Sequence, residues 1–167
     1  MRARLIAGRV SAGAVVVYVA LAAGWYAQTR SDGSLAYAKA RDTVLATARQ
    51  DLAALNSVDA SSVDAGLRQW LDATTGPLHD QLQRTGPADA GALRQAGTSA
   101  TGTVTAAAVT ELDTRAGTAR LIATVQVALT PRTGAPTTDR KRFEAGLART
   151  PGGWKVTALT AVPIGAS

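Results

Sequence analysis

Apolar residues recur every three or four positions in the first half of the chain and every second position in the second half. The helical spacing is clearest between Leu35 and Leu55, where polar side chains lie mostly off the apolar stripe. The residues of that stripe are Tyr37, Ala40, Val44, Ala48, Leu52 and Leu55. This spacing predicts an amphipathic helix that ends at Asn56 and Ser57.

A second helix is predicted after Ser61. Ser61 with Asp64 three residues later resembles a capping box at a helix start. The apolar residues that would share one face of this helix are Val63, Leu67, Trp70 and Leu71. Thr75-Gly76-Pro77 should end it, because glycine suits a helix C-terminus and proline suits the first turn of the next helix.

A third, short helix is predicted from Leu78 to Arg84. Gly86 and Pro87 should stop it, because proline removes a backbone donor and crowds the preceding turn. After them, 88–96 is predicted to form at most a further weak helical turn or two.

The spacing changes after Gly97 to Thr- and Val-rich runs separated by turn residues, which predicts strands. Four strands are predicted, at Thr101–Leu112, Ala119–Thr130, Arg140–Arg149 and Trp154–Val162. The predicted connections are 113–117, 131–138 and 150–153. In the second strand, one face carries Ala119, Leu121, Ala123, Val125, Val127 and Leu129. Helices followed by an antiparallel meander with one apolar face predict an α+β domain in which about three helices cover a bent four-stranded sheet, forming a half-open cone.

The N-terminal run Val10–Ala27 is apolar or uncharged throughout, and Arg2, Arg4 and Arg9 precede it. About 20 such residues span a bilayer as a helix, and basic residues tend to stay on the cytoplasmic side. We therefore predict a cytoplasmic tail (1–9), a transmembrane helix (10–28), a linker (29–35), an extracytoplasmic domain (36–163) and a short tail (164–167). This topology places the protein in the plasma membrane as a single-pass, N-in protein.

A cleaved signal peptide is the competing interpretation of the same run. Ala20-Leu21-Ala22 offers small residues that a signal peptidase could recognise. The apolar run continues past that point to Trp25 and Tyr26, which favours a retained anchor. In both interpretations the domain works outside the cytoplasm.

The net charge of +6 does not indicate a nucleic-acid-binding protein. Without Arg2, Arg4 and Arg9, 15 basic residues face 12 acidic ones, a net charge of +3. Aromatic residues are 4% of the chain, too few for a base-stacking platform. The chain has no cysteine, which excludes disulfides, thiolate metal sites and a cysteine nucleophile.

The order of these elements resembles the Mce-associated membrane proteins of actinobacteria. The resemblance rests on the N-terminal anchor, the long Ala-rich helix, the second helix ending at Thr75-Gly76, and four strands closing with Gly153-Trp154-Lys155-Val156. It implies an extracytoplasmic domain similar to nuclear transport factor 2 and to the VirB8 components of type IV secretion. It also implies an accessory protein that supports the assembly or stability of an Mce-type lipid or sterol importer.

No residue pattern predicts a catalytic, metal or cofactor site. His79 is the only histidine, and adjacent Asp80 would point about 100° away on a helix, so it is poorly placed to orient the imidazole. Asp59 and Asp64 are interpreted as acids that favour a helix start rather than as metal ligands. Trp70, Phe143 and Trp154 could line an apolar pocket, but core packing is the simpler interpretation.

The run Arg140-Lys141-Arg142 has two interpretations. Charges on a strand edge discourage unwanted strand pairing, and they could also contact lipid headgroups or an acidic partner. We therefore expect a non-catalytic, membrane-anchored scaffold without cofactors, whose partners are subunits of a membrane complex; homo-oligomerisation is left open. The alternatives are a VirB8-like component of a conjugation or secretion machine, and an exported enzyme or small-ligand carrier.

Overall fold

The computed structural model describes residues 33–163. The chain divides into two units, 1–40 and 41–167. The described part of the first unit, 33–40, is helical and exposes Leu35 and Tyr37. The predicted anchor, Val10–Ala27, and the tail 164–167 lie outside the described residues. Among the helices of residues 33–163, none is long and apolar enough to span a membrane.

The second unit contains three helices followed by four strands, which confirms the predicted α+β class and order of elements. Helical residues run from 33 to 55, and α1 denotes those of the second unit, 41–55. The other elements are α2 (Val63–Ala73), α3 (Gly76–Ala96), β1 (Ser99–Asp113), β2 (Thr118–Thr130), β3 (Thr137–Thr150) and β4 (Gly153–Val162). The strands form one antiparallel sheet in the order β1-β2-β3-β4, as a meander predicts.

One face of the sheet packs against α1 and forms the main core. The alternating residues predicted for one face of β2 are buried or nearly so, and Leu121 and Val125 have no exposed surface. Val44, Ala48 and Leu52 of α1 are also fully buried, and they belong to the same apolar cluster as Leu121. The prediction that helices cover the apolar sheet face is therefore confirmed.

The predicted break at Gly86 and Pro87 is wrong, because α3 continues through both residues to Ala96. Gly86 and Ala90 are buried on the side of α3 that faces α2, and a Cβ on Gly86 would only just reach Leu67 at 4.0 Å. The free energy gained by burying this face outweighs the local cost of proline in a helix. The sequence shows that cost but not the tertiary contacts that offset it.

The predicted capping box at Ser61 is not formed. The helix begins at Val63 with Ser62 as its N-cap, and the Ser62 side chain makes no capping hydrogen bond. The Ser61 hydroxyl instead donates a 2.8 Å hydrogen bond to Oδ1 of Asp59, whose carboxylate also accepts from the Ser61 N–H. These bonds to the ionised form hold the pKa of Asp59 below its ordinary value.

Both outer strands of the sheet are joined to the helical layer by backbone hydrogen bonds. On the β1 side, Val58 and Ala100 exchange backbone hydrogen bonds of 2.9 and 2.8 Å. On the β4 side, the Thr75 N–H donates to the Val156 carbonyl at 2.9 Å. Both strands also contain bulges, two in β1 and one opposite Gly146 and Leu147. Bulges and covering segments are devices that protect sheet edges from unwanted pairing.

Candidate interaction surface

His79 has a structural environment. Its Nδ1 lies 3.0 Å from the Leu71 carbonyl and 3.4 Å from the Thr74 hydroxyl, and its Nε2 lies 3.1 Å from Nε2 of Gln83. Donation from Nδ1 to Leu71 satisfies a carbonyl at the C-terminal end of α2, which leaves Nε2 to accept from Gln83. The imidazole therefore connects the end of α2 to the start of α3, and Asp80 is exposed beside it.

The acidic residues of the described chain form no metal site. No group of three or more His, Cys, Asp or Glu side chains converges anywhere in residues 33–163. The Asp64 carboxylate on α2 forms an ion pair with Arg94 on α3, and it does not share a site with Asp59. The interpretation of Asp64 as an acid in the first helical turn is confirmed.

The aromatic residues pack in the core, as the simpler interpretation predicted. Phe143 and Trp154 are buried on the helix-facing side of the sheet. The Arg149 guanidinium lies 5.0 Å from the centre of a Trp154 ring. Trp70 is half-buried, and its indole N–H is 2.9 Å from the carbonyls of both Ala54 and Ser57.

Asp51 is a buried polar group that the sequence analysis did not single out. It lies three residues after Ala48 and four before Leu55, within the apolar stripe of α1. Its Oδ2 is buried and has no hydrogen-bond partner. Burial raises the pKa of Asp51 to about 6, and the charge of Lys155 partly opposes this rise. The position of an acid inside the helical stripe was the available signal.

The face of the sheet that points away from the helices is uncovered by described residues and carries mostly small side chains. Two shallow concavities lie on it, of about 850 and 460 Å³. The smaller one is lined mainly by apolar side chains, including Ile122, which is 52% exposed, and Val162, which is 42% exposed. Large exposed apolar side chains on one sheet face are typical of an interaction surface.

Three charged side chains line the larger concavity of this face. Arg120 on β2 lies 3.5 Å from Glu111 on β1 and 3.8 Å from Glu144 on β3. All three side chains are more than half exposed, so these ion pairs add little to stability. One cation and two anions leave this group with a net charge of −1.

The run Arg140-Lys141-Arg142 lies in β3, and all three residues are exposed. β3 begins at Thr137, so the loop predicted to extend to residue 138 ends two residues earlier. Arg140 and Arg142 share the uncovered sheet face with Glu144 and make none of the ion pairs described above. Lys141 lies on the opposite face, 4.0 Å from the Asp139 carboxylate.

The arrangement of three helices on a four-stranded antiparallel meander defines a VirB8-like α+β domain. It is similar to an IcmL-like type IV secretion system protein from Legionella pneumophila, at 14% identity and a TM-score of 0.62 over 76% of this chain and 95% of that one. It is also similar to CagV, a VirB8 homolog from Helicobacter pylori, at 15% identity and a TM-score of 0.58 over 74% and 99% of the two chains. A third similar structure is that of Agrobacterium tumefaciens VirB8, at 12% identity and a TM-score of 0.58 over 77% of this chain and 96% of that one.

Identities this low establish a common fold and nothing finer. The chain belongs to the family described as "Uncharacterized protein Rv1363c/MT1408-like", whose model matches residues 5–163. No curated protein matches the sequence. The VirB8-like fold expected from the resemblance is thus confirmed, whereas an association with Mce complexes belongs to the proposal below.

Proposed function

We propose that this protein is a non-catalytic accessory subunit, held at the plasma membrane by Val10–Ala27, that supports assembly or stability of an Mce-type lipid or sterol importer. The observation that carries the proposal is the extent of the family match, which begins at residue 5. It takes in the predicted anchor and the α+β domain as one unit of sequence. An anchored domain stays at high local concentration beside a membrane complex, so weak contacts are sufficient for assembly.

The chemistry of the described residues supports a scaffold role over catalysis. The single histidine uses both ring nitrogens in hydrogen bonds within the chain. Asp51, whose pKa is raised, has no second titratable group hydrogen-bonded to it that could act as an acid–base partner. The uncovered sheet face, with Ile122 and Val162 exposed, offers a surface for a protein contact.

A second candidate function is a VirB8-like component of a conjugation or secretion machine. The fold favours it, since the type IV secretion proteins compared above share the same arrangement of helices and strands. The two candidates predict the same topology and differ only in their partners.

Affinity purification of the tagged full-length chain from membranes, followed by mass spectrometry, tests the proposal. Importer subunits in the purified material, absent from an untagged control, would support it. Secretion subunits would support the second candidate instead. Recovery of neither set, after chemical cross-linking in the membrane to retain weak contacts before solubilisation, would refute both.

The anchor has a separate test in N-terminal sequencing of the mature protein. A chain that begins within the first residues and fractionates with membranes after carbonate washing agrees with a retained span. A mature chain that begins at Ala23 would refute the anchor and require another means of membrane association.

A further inference from the structure

The first half of β3 extends beyond the end of β4. The pairing of β3 with β4 starts at Arg142 opposite Val162, and Pro163 follows directly. Residues 137–141 of β3 are paired with β2 on one side, and among residues 33–163 no strand pairs with them on the other. All of them are exposed. We call this free border of β3, residues 137–141, the β3 overhang.

The direction of the backbone groups in the overhang follows from the register. The Arg149 N–H donates to the Gly117 carbonyl at 2.8 Å, on the β2 side. Successive residues of an antiparallel strand point their backbone groups to alternate neighbours. The pairing of β3 with β2 runs without a shift from Ala148 to Thr137. Thr138 and Arg140 therefore direct their N–H and C=O groups away from β2, towards the free side.

Asp139 already occupies part of this border. Its Oδ1 accepts a 2.8 Å hydrogen bond from the Arg140 N–H, and its Oδ2 lies 4.0 Å from Nζ of Lys141. A carboxylate oxygen thus stands where the carbonyl oxygen of a neighbouring strand would stand. An acidic group close to the chain is already accommodated at this edge.

The charges beside the overhang select the kind of strand that could replace Asp139. Arg140 and Arg142 lie on one face and Lys141 on the other, so cations flank the free backbone on both sides. Opposite charges directly across two strands stabilise the pairing, and like charges destabilise it. If a second copy of the chain paired through the same edge, its three cations would lie opposite the same three cations of the first copy.

The four residues that follow Pro163 here, 164–167, carry no acidic side chain to match these cations. We propose that the β3 overhang is a docking edge for an extended, acidic segment of a partner protein, which adds a strand in line with β4 and displaces the Asp139 carboxylate from the Arg140 N–H. Main-chain hydrogen bonds give such a contact its affinity, and the flanking charges give it specificity. The inference is independent of which membrane complex the protein serves.

The binding test uses the full-length chain in neutral detergent and a fluorescein-labelled peptide, Thr-Glu-Val-Glu-Val-Glu-Thr, with blocked ends. Fluorescence anisotropy at low ionic strength should show saturable binding. The double variant Arg140→Gln/Arg142→Gln should weaken it by about tenfold, which two cross-strand charge pairs account for. The matched control Arg84→Gln/Arg115→Gln removes two exposed arginines elsewhere and should bind as the wild type does.

Variants of Asp139 separate strand addition from general attraction between charges. Asp139→Asn removes the charge but keeps an oxygen that can accept from the Arg140 N–H, whereas Asp139→Ala removes both. Because the border is freed only in the alanine variant, we expect it to bind severalfold more tightly than the asparagine variant. Equal affinities of the two variants would overturn the displacement of Asp139.

Hydrogen exchange identifies the site of contact. The peptide should slow amide exchange at Thr138 and Arg140, whose N–H groups point to the free side. Equal binding of a peptide with lysine in place of glutamate would overturn the proposal, as would absence of protection at these two amides.

Tighter binding by a chain ending at Pro163 would show that residues 164–167 occupy the edge. Dimers abolished by Arg140→Gln would make a second copy the occupant. Either of these two results would also overturn the proposal that an acidic partner segment occupies the edge.

Discussion

Gly102 and Asn56 lie so close together that a Cβ atom built on Gly102 would be 2.7 Å from the Cβ of Asn56. The same atom would be 3.0 Å from the Ala53 carbonyl oxygen. The Gly102 N–H donates a 2.9 Å hydrogen bond to Oγ of Ser57. β1 approaches the end of α1 this closely because residue 102 has no side chain.

Gly102→Ala should therefore lower the free energy of unfolding by about 1–3 kcal/mol, because the added methyl group forces backbone to move. Urea denaturation followed by circular dichroism measures the change. Gly91→Ala is the matched control: Gly91 lies in α3 with no atom within 4 Å of an added Cβ. It should stabilise the chain by about 0.5–1 kcal/mol, since alanine is the better helix former. Equal stability of Gly102→Ala and the wild type would contradict the close contact.

Asp51 should make stability fall as the pH rises. Between its ordinary pKa of 3.8 and its folded pKa of about 6, the unfolded chain has released the proton that the folded chain still holds. The folded state then binds more protons, so its stability declines through this window and stays lower above it. Burial is the first cause of the raised pKa, and Lys155 opposes it.

Asp51→Asn should consequently raise the free energy of unfolding at neutral pH by about 1–2 kcal/mol, a value reduced for the partial exposure of the group. Below the ordinary pKa of the carboxyl group, the two proteins should differ little. Denaturation curves across the pH range measure this, with the exposed Asp89→Asn as control. A gain in stability that is independent of pH would show that the charge of Asp51 is not responsible.

Trp70 should stabilise the junction of α1 and α2 through its N–H as well as its ring. The indole donates to the carbonyls of Ala54 and Ser57 at the C-terminal end of α1. Trp70→Phe should lower the free energy of unfolding by about 1–3 kcal/mol, because the Ser57 carbonyl loses the indole donor, the Ala54 carbonyl keeps only the Ser57 N–H, and part of the ring is removed. Replacement by benzothienylalanine keeps the ring size but not the N–H, and a similar loss in thermal unfolding would assign the effect to the hydrogen bonds. An unchanged melting temperature in that variant would refute this.

His79 should matter for stability and not for activity or partner choice. His79→Ala should lower the free energy of unfolding by about 1 kcal/mol, because the Leu71 carbonyl loses its 3.0 Å contact with Nδ1 and keeps only the two longer hydrogen bonds from Thr74. His79→Asn should recover part of this loss, since its side-chain amide can reach the position of Nδ1. The proteins that co-purify with either variant should match those of the wild type. Loss of partners or of a measurable activity in both stable variants would favour the exported-enzyme alternative.

Much of the fold follows from local patterns in the sequence. The period of three to four residues in α1 and the alternation in β2 depend only on which face is apolar, and the structure buries those faces. The connection after Asp113 was likewise predicted, and Gly117 there has the positive φ that favours glycine. The α+β class and the order of elements required nothing more.

Other features depended on contacts between distant residues. α3 runs through Pro87 because Gly86 and Ala90 are buried against α2. The Oδ2 atom of Asp51 is buried without a hydrogen-bond partner, which depends on the segments packed around it. The sequence offered a strand edge as one interpretation of Arg140-Lys141-Arg142, but it did not show that β3 extends beyond the end of β4.

The sequence by itself therefore predicts the compartment and the α+β fold class of this protein. A long apolar run and a repeated apolar period depend only on residues that are close together along the chain. The course of α3, the environment of Asp51 and the β3 overhang beyond Val162 were decided by the tertiary structure. Each depends on where a second segment ends or packs, and such distances between segments are absent from any local pattern.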